Sequence, residues 1–151
     1  MYVILFPMHK DFYASGFLYH PPSQQILLQQ STSIENALSQ WLLFGAGSSH
    51  EENPETTFQK IIFSLLAIEL PVVYPVYFHP YENTQKNHYI VYAKVRRKED
   101  FSGKNGMKFG WFSFRQILKM RLAKQTEHDI TVGIRVIDAA TRKRLGEHTF
   151  E

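Results

Sequence analysis

The 151-residue chain contains no cysteine. That excludes thiolate zinc sites, iron–sulfur clusters and a cysteine nucleophile, and it suits a reducing compartment. A membrane-spanning run is also missing. The longest apolar stretch, residues 61–78, is interrupted by Glu69, Pro71 and Pro75, whereas about 20 clean residues are needed to cross a bilayer. The apolar opening, residues 1–8, has no basic flank and no small-residue cleavage site, and it is too short for a signal core. These absences lead to the expectation of an unprocessed cytoplasmic protein without membrane contact. Several motifs are missing as well. No His-x-x-x-His or His-Glu-x-x-His spacing, no Gly-x-Ser-x-Gly elbow and no Walker-type phosphate loop occurs, so nothing local marks a zinc protease, a serine hydrolase or a nucleoside triphosphatase.

Basic residues are scarce in the front part of the chain. Residues 1–93 carry Lys10, Lys60 and Lys86 against seven acids, a net −4, while residues 94–151 carry fourteen Lys and Arg against seven acids, a net +7. The whole-chain balance of +3 is modest, so nucleic-acid binding is the disfavoured reading of the basic third. What is present is ordinary globular material, with 44% hydrophobic and 15% aromatic residues. A chain of this size buries roughly 70% of its unfolded surface, enough for one core without a disulfide or structural metal. With no repeat and no dividing linker, residues 1–151 are expected to form one domain.

The elements expected from periodicity and breakers run strands, helix, strands, helices. Residues 14–20 and 25–30 are β-type runs separated by Pro21, Pro22 and Ser23, which predicts a hairpin. Residues 41–44 form a short apolar run, stopped by an expected turn at Gly45, Ala46 and Gly47. Asn53-Pro54-Glu55 starts a helix to about residue 68: an acceptor at the N-cap, proline where its missing N–H costs nothing, and an acid at the positive end. Phe58, Ile61, Ile62 and Leu65 make its apolar stripe, with Thr57, Lys60 and Ser64 on the polar side. Residues 72–79 and 88–95 read as strands, with Pro75 marking an edge or bulge. Residues 96–110 read as a loop. Ser113 with Gln116 caps a helix to about residue 124, and Thr126 with Asp129 starts another to about residue 142. Ile130, Val132, Ile134 and Val136 also alternate as a strand would.

Residues 41–68, a Trp-led strand, a glycine pair, an acidic loop and a Pro-started helix, resemble the signature region of the Nudix family, whose box reads G-x5-E-x7-R-E-U-x-E-E-x-G-U. The hairpin at residues 14–30 and the Trp111-Phe112-Ser113 to Gln116-Ile117-Leu118 segment resemble other parts of the family pattern. The resemblance implies an α/β (α+β) fold, an αβα sandwich with a mixed central sheet. It also implies a Mg²⁺- or Mn²⁺-dependent hydrolase of nucleoside diphosphate derivatives, in which helix glutamates at i, i+3 and i+4 gather the metal.

This chain departs from the pattern at the chemistry. Glu52 matches the first box glutamate, and Ile62 and Ile68 match the aliphatic positions. Ala46 stands for the first glycine, Lys60 for the arginine, Ile61 for the next glutamate, Ser64 and Leu65 for the glutamate pair, and Ala67 for the second glycine. A shift of one residue places Ile62, Leu65 and Leu66 at the acid positions and restores nothing. The expectation is therefore a Nudix-like protein without the usual metal glutamates, a non-catalytic binder or regulator of a nucleotide or other phosphorylated ligand. The alternatives are a divergent pyrophosphohydrolase and a protein or RNA interaction module, so a protein partner stays open.

Substitute catalytic candidates are Glu51, Glu52 and Glu55, with Glu52 the candidate metal ligand for Mg²⁺ or Mn²⁺ if the hydrolase alternative holds. His50 and an acid from the long loop, Glu99 or Asp100, would complete such a set. Lys60, Arg96, Arg97 and Lys98 are the ligand-binding candidates, expected to face the cleft beside the helix. Tyr74, Tyr77, Phe78, Tyr89 and Tyr92 read first as core and second as a stacking surface.

Overall fold

The structure is a computed structural model and describes residues 11–31, 40–48, 52–101 and 107–149. Of the candidate residues named above, Glu51 and His50 lie outside those described. The proline-separated runs form the antiparallel hairpin β1 (Phe12–His20) and β2 (Gln25–Ser31), in which Leu18 faces Leu27 and His20 faces Gln25. The two strands pair only near their turn and then diverge, and each takes a short partner: β3 (Trp41–Leu42) on β2 and β4 (Phe44–Gly47) on β1. The glycine run expected as a turn is thus strand, with Gly45 opposite Ser15.

A second hairpin joins β5 (Tyr74–Pro80) to β6 (Asn87–Lys94). Its register slips between Pro75 and Tyr77, the bulge expected where proline has no N–H for the ladder. β6 lies parallel to β1 along its whole length, Phe12 beside Asn87 and Tyr19 beside Lys94. The segment expected as loop up to Gly110 already enters β7 (Met107–Ser113), which completes its ladder on the free edge of β2. The result is a mixed seven-stranded sheet, ordered β3-β2-β1-β6-β5, with β4 on β1 and β7 on β2.

Helix α1 (Pro54–Leu66) starts as expected, with Asn53 Oδ1 accepting from the Thr56 N–H at 2.8 Å. It ends at Ala67, which holds φ 58° while its N–H donates to the Phe63 carbonyl. Ala67 is the residue at the second box glycine, so the left-handed backbone stop persists without the glycine that favours it. Thr57, expected on the polar side, is buried because its hydroxyl turns inward to donate to Glu52 Oε1 at 3.2 Å. α2 (Phe114–Lys119) carries the Ser113–Gln116 capping box and stops at Lys119, short of the expected end. α3 (Lys124–Thr149) starts two residues earlier than expected and continues past Arg142. Ile130, Gly133 and Ile137 face inward, so helical spacing prevails over the strand-like alternation.

Both sheet faces are covered, which is why β1 is buried almost continuously. Leu18, Leu27, Phe44, Val91 and Ala93 pack against Phe58, Ile62 and Leu66 of α1. Phe17, Tyr19, Ile26, Leu28, Ile90 and Tyr92 pack against Ile117, Ile130 and Ile137 of α2 and α3. No helix among the described residues is long and apolar enough to cross a membrane.

Candidate functional site

The acidic start of α1 sits beside the beginnings of β1 and β6. Of the thirteen residues of α1, Glu55 alone is acidic. At the positions where the family resemblance asks for carboxylates, Ile61 and Leu65 pack against the core and Ser64 is exposed. Glu52 is nearly buried and serves the fold locally, accepting from Thr57 Oγ1 and from the ammonium of Lys60. Lys60, a ligand-binding candidate, is thus an exposed helix lysine paired with the matched box glutamate. Among the described residues, no three carboxylates converge at this helix start.

The basic loop lies elsewhere. The strap after β6 is tied to the turn end of the β1–β2 hairpin: Val95 N–H donates to the Tyr19 carbonyl, His20 Nε2 donates to the Arg96 carbonyl at 3.1 Å, and Lys98 Nζ donates to Gln25 Oε1 at 2.6 Å. Trp111 Nε1 donates to the Glu99 carbonyl at 2.9 Å. The acidic start of α1 lies with Phe12 and Asn87 at the other end of β1 and β6. Seven residue steps along a strand separate the two ends by about 23 Å. Arg96, Arg97 and Lys98, expected in the cleft beside α1, are therefore not brought together with Glu52, and neither are Glu99 and Asp100.

A cavity of about 550 Å³ opens between the start of α1 and strands β5 and β6. Phe12, Phe78 and Tyr89 form its apolar wall, with ring centroids of 5.7 Å for Phe12–Tyr89 and 5.3 Å for Phe78–Tyr89. Asp11, Glu52 and Glu55 supply carboxylates, and Asn53, Gln85 and Asn87 supply amides. None of its described lining residues is basic. Such a wall accepts hydrogen bonds from hydroxyl and amino groups and stacks on planar rings, and it repels a bare phosphate.

A polar cluster lies on the opposite face of the sheet at the same end. His79 of β5 and His88 of β6 are register partners, with ring centroids 4.8 Å apart. Asp129, in the second turn of α3, covers them. Its Oδ1 lies 3.3 Å from His79 Nε2 and accepts from Tyr77 Oη at 2.5 Å and Gln125 Nε2 at 2.9 Å. His88 Nε2 meets Ser15 Oγ at 2.7 Å. Burial, reinforced slightly by His79 and opposed by Asp129, lowers the His88 pKa to about 4, so the ring is neutral at neutral pH. Burial and the bond to Asp129 push Tyr77 up, and burial with the neighbouring Tyr81 does the same to Tyr13. The chain makes room for the cluster at Gly45, where a Cβ would come within 2.6 Å of Ser15 Oγ and 3.0 Å of the Tyr13 ring. Sequence reading missed this cluster because it looked for local histidine spacing. The available signal was the hairpin itself, in which two histidines flank one polar turn and the antiparallel register of β5 and β6 sets them opposite each other.

No family model matches the sequence, and no curated protein matches it by sequence. Solved structures do match by shape. MutT, from work on the Aliivibrio salmonicida and Vibrio cholerae proteins, superposes with a TM-score of 0.67 at 10% identity, covering 81% of this chain and 95% of that one. The Nudix domain of Shewanella oneidensis NrtR, solved with ADP ribose, gives 0.66 at 16% identity over 83% and 87%. A C. elegans Ap4A hydrolase gives 0.65 at 12% identity over 84% and 98%. The mixed sheet between α1 and α3, the capped helix after a glycine-bearing strand and these superpositions agree: the chain has the Nudix fold.

Proposed function

We propose that the protein is a non-catalytic Nudix-fold binder of a nucleotide-type ligand, held chiefly by its nucleoside part in the cavity beside α1. One observation carries the reading: the helix that would gather a divalent ion has aliphatic residues or serine at the acid positions, and Glu52 is engaged by Thr57 and Lys60. A diphosphate hydrolase of this type needs an ion to polarise the phosphoryl oxygens and generate the attacking hydroxide.

The cavity suits another task. Its volume of about 550 Å³ falls in the ordinary range of small-molecule sites. Phe12, Phe78 and Tyr89 offer a stacking wall for a base, and the carboxylates suit ribose hydroxyls in the way that acids of dinucleotide sites do. The NrtR Nudix domain solved with ADP ribose supplies the probe.

Calorimetric titration with ADP ribose, in EDTA and then in Mg²⁺, is the test. The expected result is binding of similar affinity in both buffers, weakened about tenfold by Tyr89→Ala through the lost stacking contact, with the ligand recovered intact by chromatography. Hydrolysis of ADP ribose or another nucleoside diphosphate derivative at ordinary enzyme rates with Mg²⁺ or Mn²⁺, abolished in a folded Glu52→Gln variant, would overturn it.

A further inference from the structure

We infer that His79, His88 and Asp129 form a binding site for a divalent transition-metal ion of the Zn²⁺ class, with an open coordination position facing the cavity between β1 and the start of α3. The site is separate from the ligand cavity beside α1 and does not depend on that reading.

Three observations carry it. The first is geometry. One ligand atom from each of the three residues lies within 4.8 Å of the others, and His79 Nε2 is 3.3 Å from Asp129 Oδ1. Two ligands about 2.0–2.1 Å from a tetrahedral ion stand about 3.3 Å apart, so this pair already has the required separation, and the third ligand atom stands no more than 4.8 Å from either.

The second is orientation. His79 Nδ1 donates to the Pro80 carbonyl at 2.9 Å, which leaves Nε2 as the lone-pair nitrogen, 3.2 Å from Gln125 Nε2 and 3.3 Å from Asp129 Oδ1, so an ion would displace the Gln125 amide. Ligand histidines are commonly fixed in this way, through the ring nitrogen that does not touch the metal. Tyr77 steadies the carboxylate and Ser15 steadies the His88 ring.

The third is charge. Asp129 is 2% exposed, and among the described residues its partners are Tyr77, Gln125 and His79, with no Lys or Arg. A buried carboxylate is normally paired or metal-bound, because an isolated charge away from water is costly.

The donor set selects the ion. Two imidazole nitrogens and one carboxylate favour Zn²⁺, Co²⁺ or a similar first-row ion over Mg²⁺, which takes oxygen ligands. Three protein ligands beside a cavity of about 550 Å³ lined by Tyr13, Tyr81 and Thr126 match the composition of an open zinc site, in which a water or an anionic ligand atom takes the fourth place.

The test uses the full chain stripped with EDTA. Calorimetry with Zn²⁺ is expected to show one site per chain, and Co²⁺ is expected to give visible ligand-field bands of low coordination number that Zn²⁺ quenches; Mg²⁺ gives neither. Asp129→Asn, which keeps the shape, and His79→Ala, at a half-buried position, should each weaken Zn²⁺ binding by more than about 100-fold, and Tyr77→Phe, a positioning residue, by about 10- to 100-fold. Circular dichroism checks that each variant is folded. Absence of stoichiometric Zn²⁺ binding overturns the inference, as does binding that survives in both folded ligand variants, since the ion would then sit elsewhere.

Discussion

The two faces of the sheet at the start of β1 and β6 carry opposite solutions to placing polar groups. On the α1 side the positions that resemble metal-ligand positions are filled with Ile61, Ser64 and Leu65, and the remaining carboxylates line an aromatic cavity or serve the helix start. On the α3 side a histidine pair and an aspartate converge in a buried cluster that no local motif announces. The difference teaches that a helix can keep the backbone features of the fold, including the left-handed stop at Ala67, while aliphatic residues and serine stand at the positions that resemble metal-ligand positions. Packing tolerates aliphatic side chains on that face, whereas a metal site tolerates no loss of lone pairs.

The sharpest way to break the comparison is to place an acid on each side of α1, at Ile62, which matches an aliphatic position, and at Ser64, which stands at an acid position of the pattern. Ile62 is fully buried, so Ile62→Glu is expected to destabilise the protein by more than about 4 kcal/mol through an unpaired buried charge. Ser64→Glu, at an exposed position, should stay within about 0.5 kcal/mol. Urea denaturation of the two variants separates the core face of the helix from the face that has room for carboxylates.

Next in size is the pH response of the other face, measured on metal-free protein. The folded-state pKa of His88, about 4, lies below its ordinary 6.5, so the unfolded chain takes up the proton first as pH falls. Stability should therefore be constant above about pH 6.5 and decline toward pH 4, by about 3 kcal/mol at most, then level off for this group. Denaturation midpoints across that range check it, and a folded His88→Asn variant should lose this part of the slope. Ser15, His79 and Asp129, with Tyr13 and Tyr81 edge-on, are the groups that face the ring.

Gly45→Ala is expected to cost about 1–3 kcal/mol, because its Cβ must push Ser15 or Tyr13 aside. The same change should disturb ligand binding beside α1 far less, a contrast that calorimetry on both cavities can read. The smallest expected effect is at the helix stop. Ala67→Gly removes the left-handed strain at φ 58° but gives the unfolded chain more freedom, for a net gain of at most about 1 kcal/mol in thermal denaturation.

Most of the frame was legible in the sequence. The Pro21–Pro22 break, the Asn53-Pro54-Glu55 start, the Pro75 bulge and the Ser113–Gln116 box each have a local physical cause, and each stands where that cause puts it. The misses were tertiary. Gly45 to Gly47 read as a turn because glycine is weak in strands, but the close packing of Ser15 and Tyr13 requires the missing side chain there. β7 was hidden because its pairing to β2 crosses much of the chain. Charge alone points the basic residues at 96–98 toward the cleft, yet strand direction puts them at the far end of β1. The histidine–aspartate cluster depends on a hairpin register and a helix docking together, which no linear spacing encodes.

The proposal that the α1 face gathers no divalent ion, while the α3 face does, is tested most directly by following amide and imidazole NMR signals of the full chain during titration with Mg²⁺ and then Zn²⁺. The account predicts that Mg²⁺ leaves the Asn53 to Lys60 amides unmoved, while stoichiometric Zn²⁺ shifts the His79 and His88 rings and the Gln125 to Asp129 amides. Mg²⁺ shifts concentrated at Glu52 to Lys60, with the histidine rings indifferent to Zn²⁺, would contradict it.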